Sequence, residues 1–239
     1  MQNCLAIIPA RGGSKRIPRK NIKEFCGQPI IKYSIDTAIK SNIFNEIMVS
    51  TDDQEIANIA KKFGAKIPFL RSEKNSSDHA STADVIKEVL NKYKENNIFF
   101  DYFCCVYPTA PFITEEKLIK SFNLLIQENA DSVVPVVKFS YPIQRGLKID
   151  NNKLEMIWPE NYSKRSQDLE PAYHDCGQFY WMKVESFLEQ RTLFAKNTVA
   201  FEIDELEVQD IDNETDWLLA EIKYKFMKKY GLDPEINSG

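Results

Sequence analysis

An apolar run, Cys4-Leu5-Ala6-Ile7-Ile8, empties directly into Pro9-Ala10-Arg11-Gly12-Gly13-Ser14-Lys15-Arg16-Ile17-Pro18-Arg19-Lys20-Asn21. A short apolar run bounded by turn formers reads as a buried strand. Whatever fold the chain adopts must therefore carry a cationic, glycine-bearing loop at the end of a core strand. Glycines let the backbone approach an anion and turn N–H groups toward it. The charged groups of Arg11, Lys15, Arg16, Arg19 and Lys20 neutralise several oxygens at once. A solvated basic loop is the bland alternative. It is weakened by context, because these cations are concentrated in a chain of net charge −4. Positive charge that is local in this way suits a small anionic ligand.

With 239 residues, 43% of them hydrophobic, the chain can bury a core as one domain or one domain with an insertion. No apolar run approaches the roughly 18 residues of a membrane span, and Arg11 follows the first apolar stretch too soon for a secretory signal. A cytoplasmic protein without a membrane partner is expected. The acidic balance argues against nucleic acid, which needs basic residues dominating a face. Cys4, Cys26, Cys104, Cys105 and Cys176 lack CxxC spacing and lie mostly in apolar runs, as buried reduced thiols do.

Along the chain, Pro29-Ile30-Ile31 opens a helical pattern through Ile31, Ile35, Ala38 and Ile39, and Glu46 to Asp52 reads as a short strand with a polar end. Asp52 or Asp53 caps a helix that Gly64 stops. This alternation predicts a parallel sheet with right-handed crossovers, whose ligands lie outside the carboxyl ends of the strands. Residues 65–81 form a long polar loop. Helices are expected over Thr82–Asn96 and Glu115–Gln127, and strands over Tyr102–Val106 and Asp131–Val137. From Phe139 the pattern becomes β-rich, with Asp150-Asn151-Asn152 as a hairpin turn. Core strands resume over Gly177–Met182 and Thr198–Ile203. Asp212 or Asn213 caps a final helix expected to turn Trp217, Leu218, Ile222 and Phe226 to the sheet, and the tail after Gly231 is expected to fray. The fold expected is α/β: a Rossmann-like, mostly parallel sheet flanked by helices. Its core comprises residues 1–138 and 176–239, and residues 139–175 form a β-rich insertion.

The loop has neither Walker A nor GxGxxG spacing. Ile8-Pro9-Ala10-Arg11-Gly12-Gly13-Ser14-Lys15, followed by Pro18 and Lys20-Asn21, resembles the signature of the cytidylyltransferases that activate nonulosonic acids, the sialic-acid-like sugars. The Gly-Gly-Ser-Lys-Arg-Ile-Pro form is most similar to members acting on pseudaminic acid. The resemblance implies that amides near Gly12, Gly13 and Ser14, flanked by Ala10, hold the CTP triphosphate with Arg11 and Lys20. Asn21 would lie near the nucleoside. Arg71, Ala80 and Thr82, in the pattern Arg-x6-Asp-x-Ala-x-Thr, are similar to the family's cytidine loop, although Thr82 also reads as a helix N-cap. Tyr107 stands where the sialic acid enzymes begin a turn with Gln. By the same resemblance Tyr107, Gln144, Arg145, Arg165 and Gln178 fall where the family touches its acidic sugar, partly across a dimer, and the insertion serves dimerisation.

Asp210 and Asp212 form a second signal. At i and i+2 in extended backbone, two carboxylates can face one divalent cation. Capping by Asp212 explains half of this pattern alone. With a triphosphate loop earlier in the chain, and with the Asp-Ile-Asp-x-x-x-Asp resemblance, Mg²⁺ ligation is favoured. The reaction implied is CTP plus a nonulosonic acid giving CMP-sugar and pyrophosphate. Arg11, Lys20, Asp210 and Asp212 are its catalytic residues, and pseudaminic acid is preferred over N-acetylneuraminate, legionaminate or Kdo. A glycosyltransferase with a DxD metal site and a non-catalytic nucleotide-binding regulator are the more distant readings. A homodimer is expected, because Leu154, Ile157 and Trp158 of the insertion would otherwise be exposed.

Overall fold

The first apolar run is strand β1, Cys4–Pro9, buried except for its last residue. The computed structural model describes residues 2–231, so the tail after Gly231 lies outside the described residues. The cationic loop ends in a turn of 3₁₀ helix at Lys20–Ile22 and enters a hairpin that the sequence pattern did not reveal, β2 (Glu24–Phe25) and β3 (Gln28–Pro29). Its turn is Cys26-Gly27, with φ of 46° and 88°. Two consecutive positive φ values are the mark of a tight hairpin turn.

Helix α1 (Ile30–Ser41), β4 (Glu46–Ser50) and α2 (Gln54–Lys62) follow the expected alternation. Asp53 caps α2, its side chain accepting from the amides of Glu55 and Ile56. A short helix, α3 (Glu73–Ser76), interrupts the polar loop. Next come α4 (Thr82–Glu95), β5 (Tyr102–Val106), α5 (Glu115–Gln127) and β6 (Ser132–Lys138). Ser81, not Thr82, caps α4, in a capping box with Asp84. Thr82 is thereby free for another role.

Beyond β6 the hairpin of β7 (Leu147–Asp150) and β8 (Lys153–Met156) turns at Asn151-Asn152, both at positive φ. Then β9 (Tyr173–Asp175), β10 (Phe179–Lys183), α6 (Val184–Gln190), β11 (Thr198–Glu202) and α7 (Glu214–Tyr230) complete the described chain.

The main sheet runs in the order β11-β6-β10-β5-β1-β4, with β9 also paired to β6. Strands β4, β1 and β5 are mutually parallel, as are β6 and β11, while β10 is antiparallel to both β5 and β6. The sheet is mixed and mostly parallel. Alternate residues of each strand serve opposite faces. On one face Ile8, Phe179 and Trp181 pack with Ile35 of α1, Ile56 of α2 and Leu118 of α5. On the other, Ile7, Phe103 and Tyr180 pack with Val89 of α4 and Phe187 of α6.

The last helix departs from expectation. Trp217 is buried, but Leu218, Ile222 and Phe226 are exposed. Trp217, Ala220 and Met227 pack in a third cluster with Ile17, Phe25, Ile30, Phe112 and Ile211, away from the sheet faces. The reason lies in the hairpin β2–β3, whose Phe25 offers α7 an aromatic partner, 5.7 Å from Trp217 and 5.5 Å from Tyr224 between ring centroids. The cysteines are free thiols, all buried except Cys26. Among the described residues no helix is long and apolar enough to cross a membrane.

Candidate active site

The carboxyl ends of β1, β4 and β5 share one edge of the sheet, since Pro9 is in register with Ser50 and the three strands are parallel. Antiparallel β10 starts at that same edge, with Phe179 opposite Val106. A cavity of about 590 Å³ lies there, within the usual range for small-molecule sites. One wall is Arg11, Ser14, Lys15, Arg16, Lys20 and Asn21 of the loop, and facing it stand Asp210 and Asp212. A third side is Arg71, Asp78, Ala80, Thr82 and Tyr107. The two distant stretches are held together by core packing as well as by charge. Ile17 of the loop and Ile211, between the aspartates, are both buried in the third cluster, and Lys20 Nζ donates to the Ile211 carbonyl at 2.7 Å.

Capping does not account for Asp212. Asn213 caps α7, in a capping box with Asp216, and Asp216 accepts the amides of Asp212 and Asn213, each at 3.0 Å. Both side chains of the DxD pair are left to the cavity. Arg16 reaches Asp212 Oδ1 at 2.8 Å and Lys20 at 3.8 Å. Burial, then the neighbouring Asp212, pushes the Asp210 carboxyl above its ordinary value. Burial lowers the Lys20 ammonium, against the pull of Asp212 and Asp210. Two hard carboxylates in mutual repulsion are a donor set that a divalent cation could share, completing its shell with other oxygens. Among the described residues no group of three or more His, Cys, Asp and Glu is arranged to hold a metal.

The third side of the cavity is set by β4 and α4. Arg71 is buried, its Nε donating to Ser50 Oγ at 3.1 Å and its Nη2 to the Ser50 carbonyl. Burial lowers its pKa. Thr82 Oγ1 lies 3.2 Å from the Tyr107 hydroxyl. Asn21 is buried and donates to the Arg11 carbonyl at 2.9 Å, tying the two ends of the loop.

Several sequence-derived residues lie elsewhere. Ala10 is wholly buried, donating its amide to the Ser50 carbonyl at 2.9 Å. Gly12 gives its amide to Asp52 Oδ1 at 3.0 Å, and a Cβ there would come within 2.8 Å of Asp53 Oδ2. Its glycine is required by close approach to a carboxylate, and neither it nor Gly13 lines the cavity, whereas Ser14 does. Gln144, Arg145 and Arg165 are also apart from the cavity. Gln144 Nε2 donates to the Glu170 carbonyl at 2.8 Å, Arg145 approaches Ser166, and Arg165 pairs with Asp168. Gln178 is buried behind the rim, donating to the Glu207 carbonyl at 2.7 Å. Conversely, Lys15, Arg16, Asp78, Thr109 and Gly177 line the site. Asp78 had a signal, as the acidic residue of the Arg-x6-Asp-x-Ala-x-Thr pattern. Gly177 had one only by resemblance, as the glycine of the family's Asn-Gly with Cys176 in place of the Asn, and its position at the rim follows from the reversed direction of β10.

The sequence profile of the cytidylyltransferases matches residues 5–206. This chain belongs to the cytidylyltransferase family. Among its relatives is the pseudaminic acid cytidylyltransferase of Campylobacter jejuni, 42% identical over 222 residues, covering 92% of this chain and 96% of that one. Another is the CMP-N,N'-diacetyllegionaminic acid synthase of Legionella pneumophila, 33% identical, covering 91% and 94%. The fold is shared with a solved CMP:2-keto-3-deoxy-manno-octonic acid synthetase complexed with CTP. That structure is 17% identical, with a TM-score of 0.67 and coverage of 95% of this chain and 99% of that one. Within this cytidylyltransferase the acidic pair at Asp210 and Asp212 falls just beyond the profile match, yet burial of Ile211 and Ile17 in one cluster makes it part of the same site.

Proposed function

We propose that this cytidylyltransferase joins CMP from CTP to pseudaminic acid, releasing pyrophosphate. One observation carries the reading: a single cavity sets Arg11, Lys15, Arg16 and Lys20 against Asp210 and Asp212. That is an arrangement for a polyanion and its counter-cation together. The likeness to the Campylobacter jejuni relative supports the choice of sugar.

Arg11 and Lys20 hold the phosphates that become pyrophosphate, offsetting the charge that builds on the leaving group. Lys20 is positioned for this by its bond to the Ile211 carbonyl. Arg71, Ala80 and Thr82 receive the nucleoside. The sugar's anomeric hydroxyl attacks the α-phosphorus in line, and placement of both partners supplies most of the acceleration. Asp210 and Asp212 would hold Mg²⁺, which when bound neutralises phosphate charge and lowers the pKa of the attacking hydroxyl. The proposal extends to a cytoplasmic homodimer. The exposed apolar side chains of residues 139–175, among them Ile149, Leu154, Ile157 and Trp158, support association through that segment, and Gln144, Arg145 and Arg165 would meet the sugar from there.

A pyrophosphate-release assay with CTP tests this against pseudaminic, legionaminic and N-acetylneuraminic acids and Kdo. Release with pseudaminic acid should exceed the others by at least about tenfold in kcat/KM. Equal or greater rates with another of these acids would reassign the sugar and keep the chemistry. No CTP-dependent release with any of them would overturn the reading.

A further inference from the structure

Each cation of the loop has a carboxylate of the same chain beside it. Arg19 pairs with Asp53 and Glu55 at the start of α2. Arg16 and Lys20 stand by Asp212. The remaining two, Arg11 and Lys15, converge on Asp78: Arg11 Nη1 lies 2.9 Å from Oδ1, and Lys15 Nζ holds Oδ2. Arg11 also reaches the Ser77 carbonyl at 3.4 Å. Lys15, then Arg11, holds the Asp78 carboxyl below the ordinary value.

These acidic partners part company when a polyphosphate enters. Asp212 loses two cations, but under the proposed function it gains a divalent one. Asp78 gains nothing. Phosphate oxygens take Arg11 and Lys15 from it and leave a carboxylate facing phosphate, a like-charge contact that an exposed site screens only in part. Asp78 lies between two anchored residues. Ser72 is fastened to Glu88 through its amide and hydroxyl, at 2.8 and 2.6 Å, and Ser81 is fastened by the capping box of α4. Asn75 is tied to Glu88 and Ser76 to the Ser72 carbonyl as well, which leaves residues 77–80 to take up any displacement of Asp78, whose side chain is 40% exposed.

We infer that Asp78 is a built-in competitor of phosphate, holding Arg11 and Lys15 at the cavity, yielding them to CTP and reclaiming them as pyrophosphate departs. It sets the balance between grip and release. The inference rests on the proposed function for the identity of the ligand, whereas the competition itself needs only a polyphosphate and no metal.

Calorimetric titration of pyrophosphate in chelator-containing buffer tests it on the intact chain, Asp78→Asn and Asp78→Glu. Asp78→Asn should bind pyrophosphate on the order of fivefold to tenfold more tightly, as expected for one unit charge removed beside a phosphate, and the gain should shrink with added salt. Pyrophosphate should then inhibit CTP turnover at correspondingly lower concentration. Asp78→Glu, which keeps the charge, should retain the parent affinity. Equal or weaker binding by Asp78→Asn, with circular dichroism unchanged, overturns the competitor role and leaves CTP turnover by the parent chain standing. Tighter binding by Asp78→Asn in a chain that turns over no CTP upholds the competition and overturns the proposed function instead.

Discussion

Asp212 shows how one residue's role is decided by its neighbour. With Asn213 and Asp216 forming the cap of α7, Asp212 contributes its carboxylate to the cavity and little to the helix. Its ion pair with Arg16 is exposed on both sides, a kind of pair that contributes at most about 1 kcal/mol. Asp212→Asn should therefore lower turnover about 10²-fold or more while shifting the melting temperature by no more than about 4 °C. Steady-state kinetics beside thermal melts separate these outcomes. A large loss of stability with turnover held near normal would return Asp212 to a structural role. Gly12 makes a similar point from the other side. Phosphate approach is the ordinary reason for such a glycine, but here the close neighbour is the Asp53 carboxylate.

At the scale of elements, α2 and the loop are joined through Asp53, which caps the helix and binds Arg19, itself at φ 56°. Hydrogen bonding from Arg19, more than the helix amides, holds the Asp53 carboxyl down at about 2. A folded pKa below the unfolded one means stabilisation that is present above about pH 4 and lost as pH falls toward 2. Asp53→Asn keeps a good cap but loses both the charge and the Arg19 bond to Oδ2, since an amide nitrogen cannot accept. It should cost about 1–2 kcal/mol near neutral pH, with the deficit narrowing below about pH 4. Urea unfolding across that range measures it, and a deficit independent of pH would assign the cost to packing.

The same scale shows what could be read from the chain beforehand. Helix α5 and the Asn151-Asn152 turn were legible because period and φ preference are local properties. The antiparallel course of β10 was not, since an apolar run carries no direction. Helix α6 follows β10 with no breaker between them, and α7 was turned the wrong way because its true partner, Phe25, belongs to a hairpin only four residues of strand long. Within the site, Arg11 and Lys20 were legible from charge and the DxD pair from spacing, while Asn21 rested on the family resemblance alone. Asp78 was not legible as a site residue, because an acid in a phosphate site has no evident place until its two cations are found on it.

For the whole molecule, the exposed apolar side chains of the 139–175 segment lead to a mass expectation. Light scattering at micromolar concentration should give twice the chain mass of 27.7 kDa, and Leu154→Lys with Trp158→Arg should shift it toward one chain. A monomer in the unaltered protein would refute association through this segment. The reversed course of β10 reaches further. Because β6 ends at the catalytic rim and β9 and β10 begin there, the chain leaves the sheet and re-enters it at the ligand's doorstep. Residues can be added, lost or exchanged in that detour without rethreading a strand. A lineage could therefore change which acceptor it greets while its nucleotide machinery stays as it was.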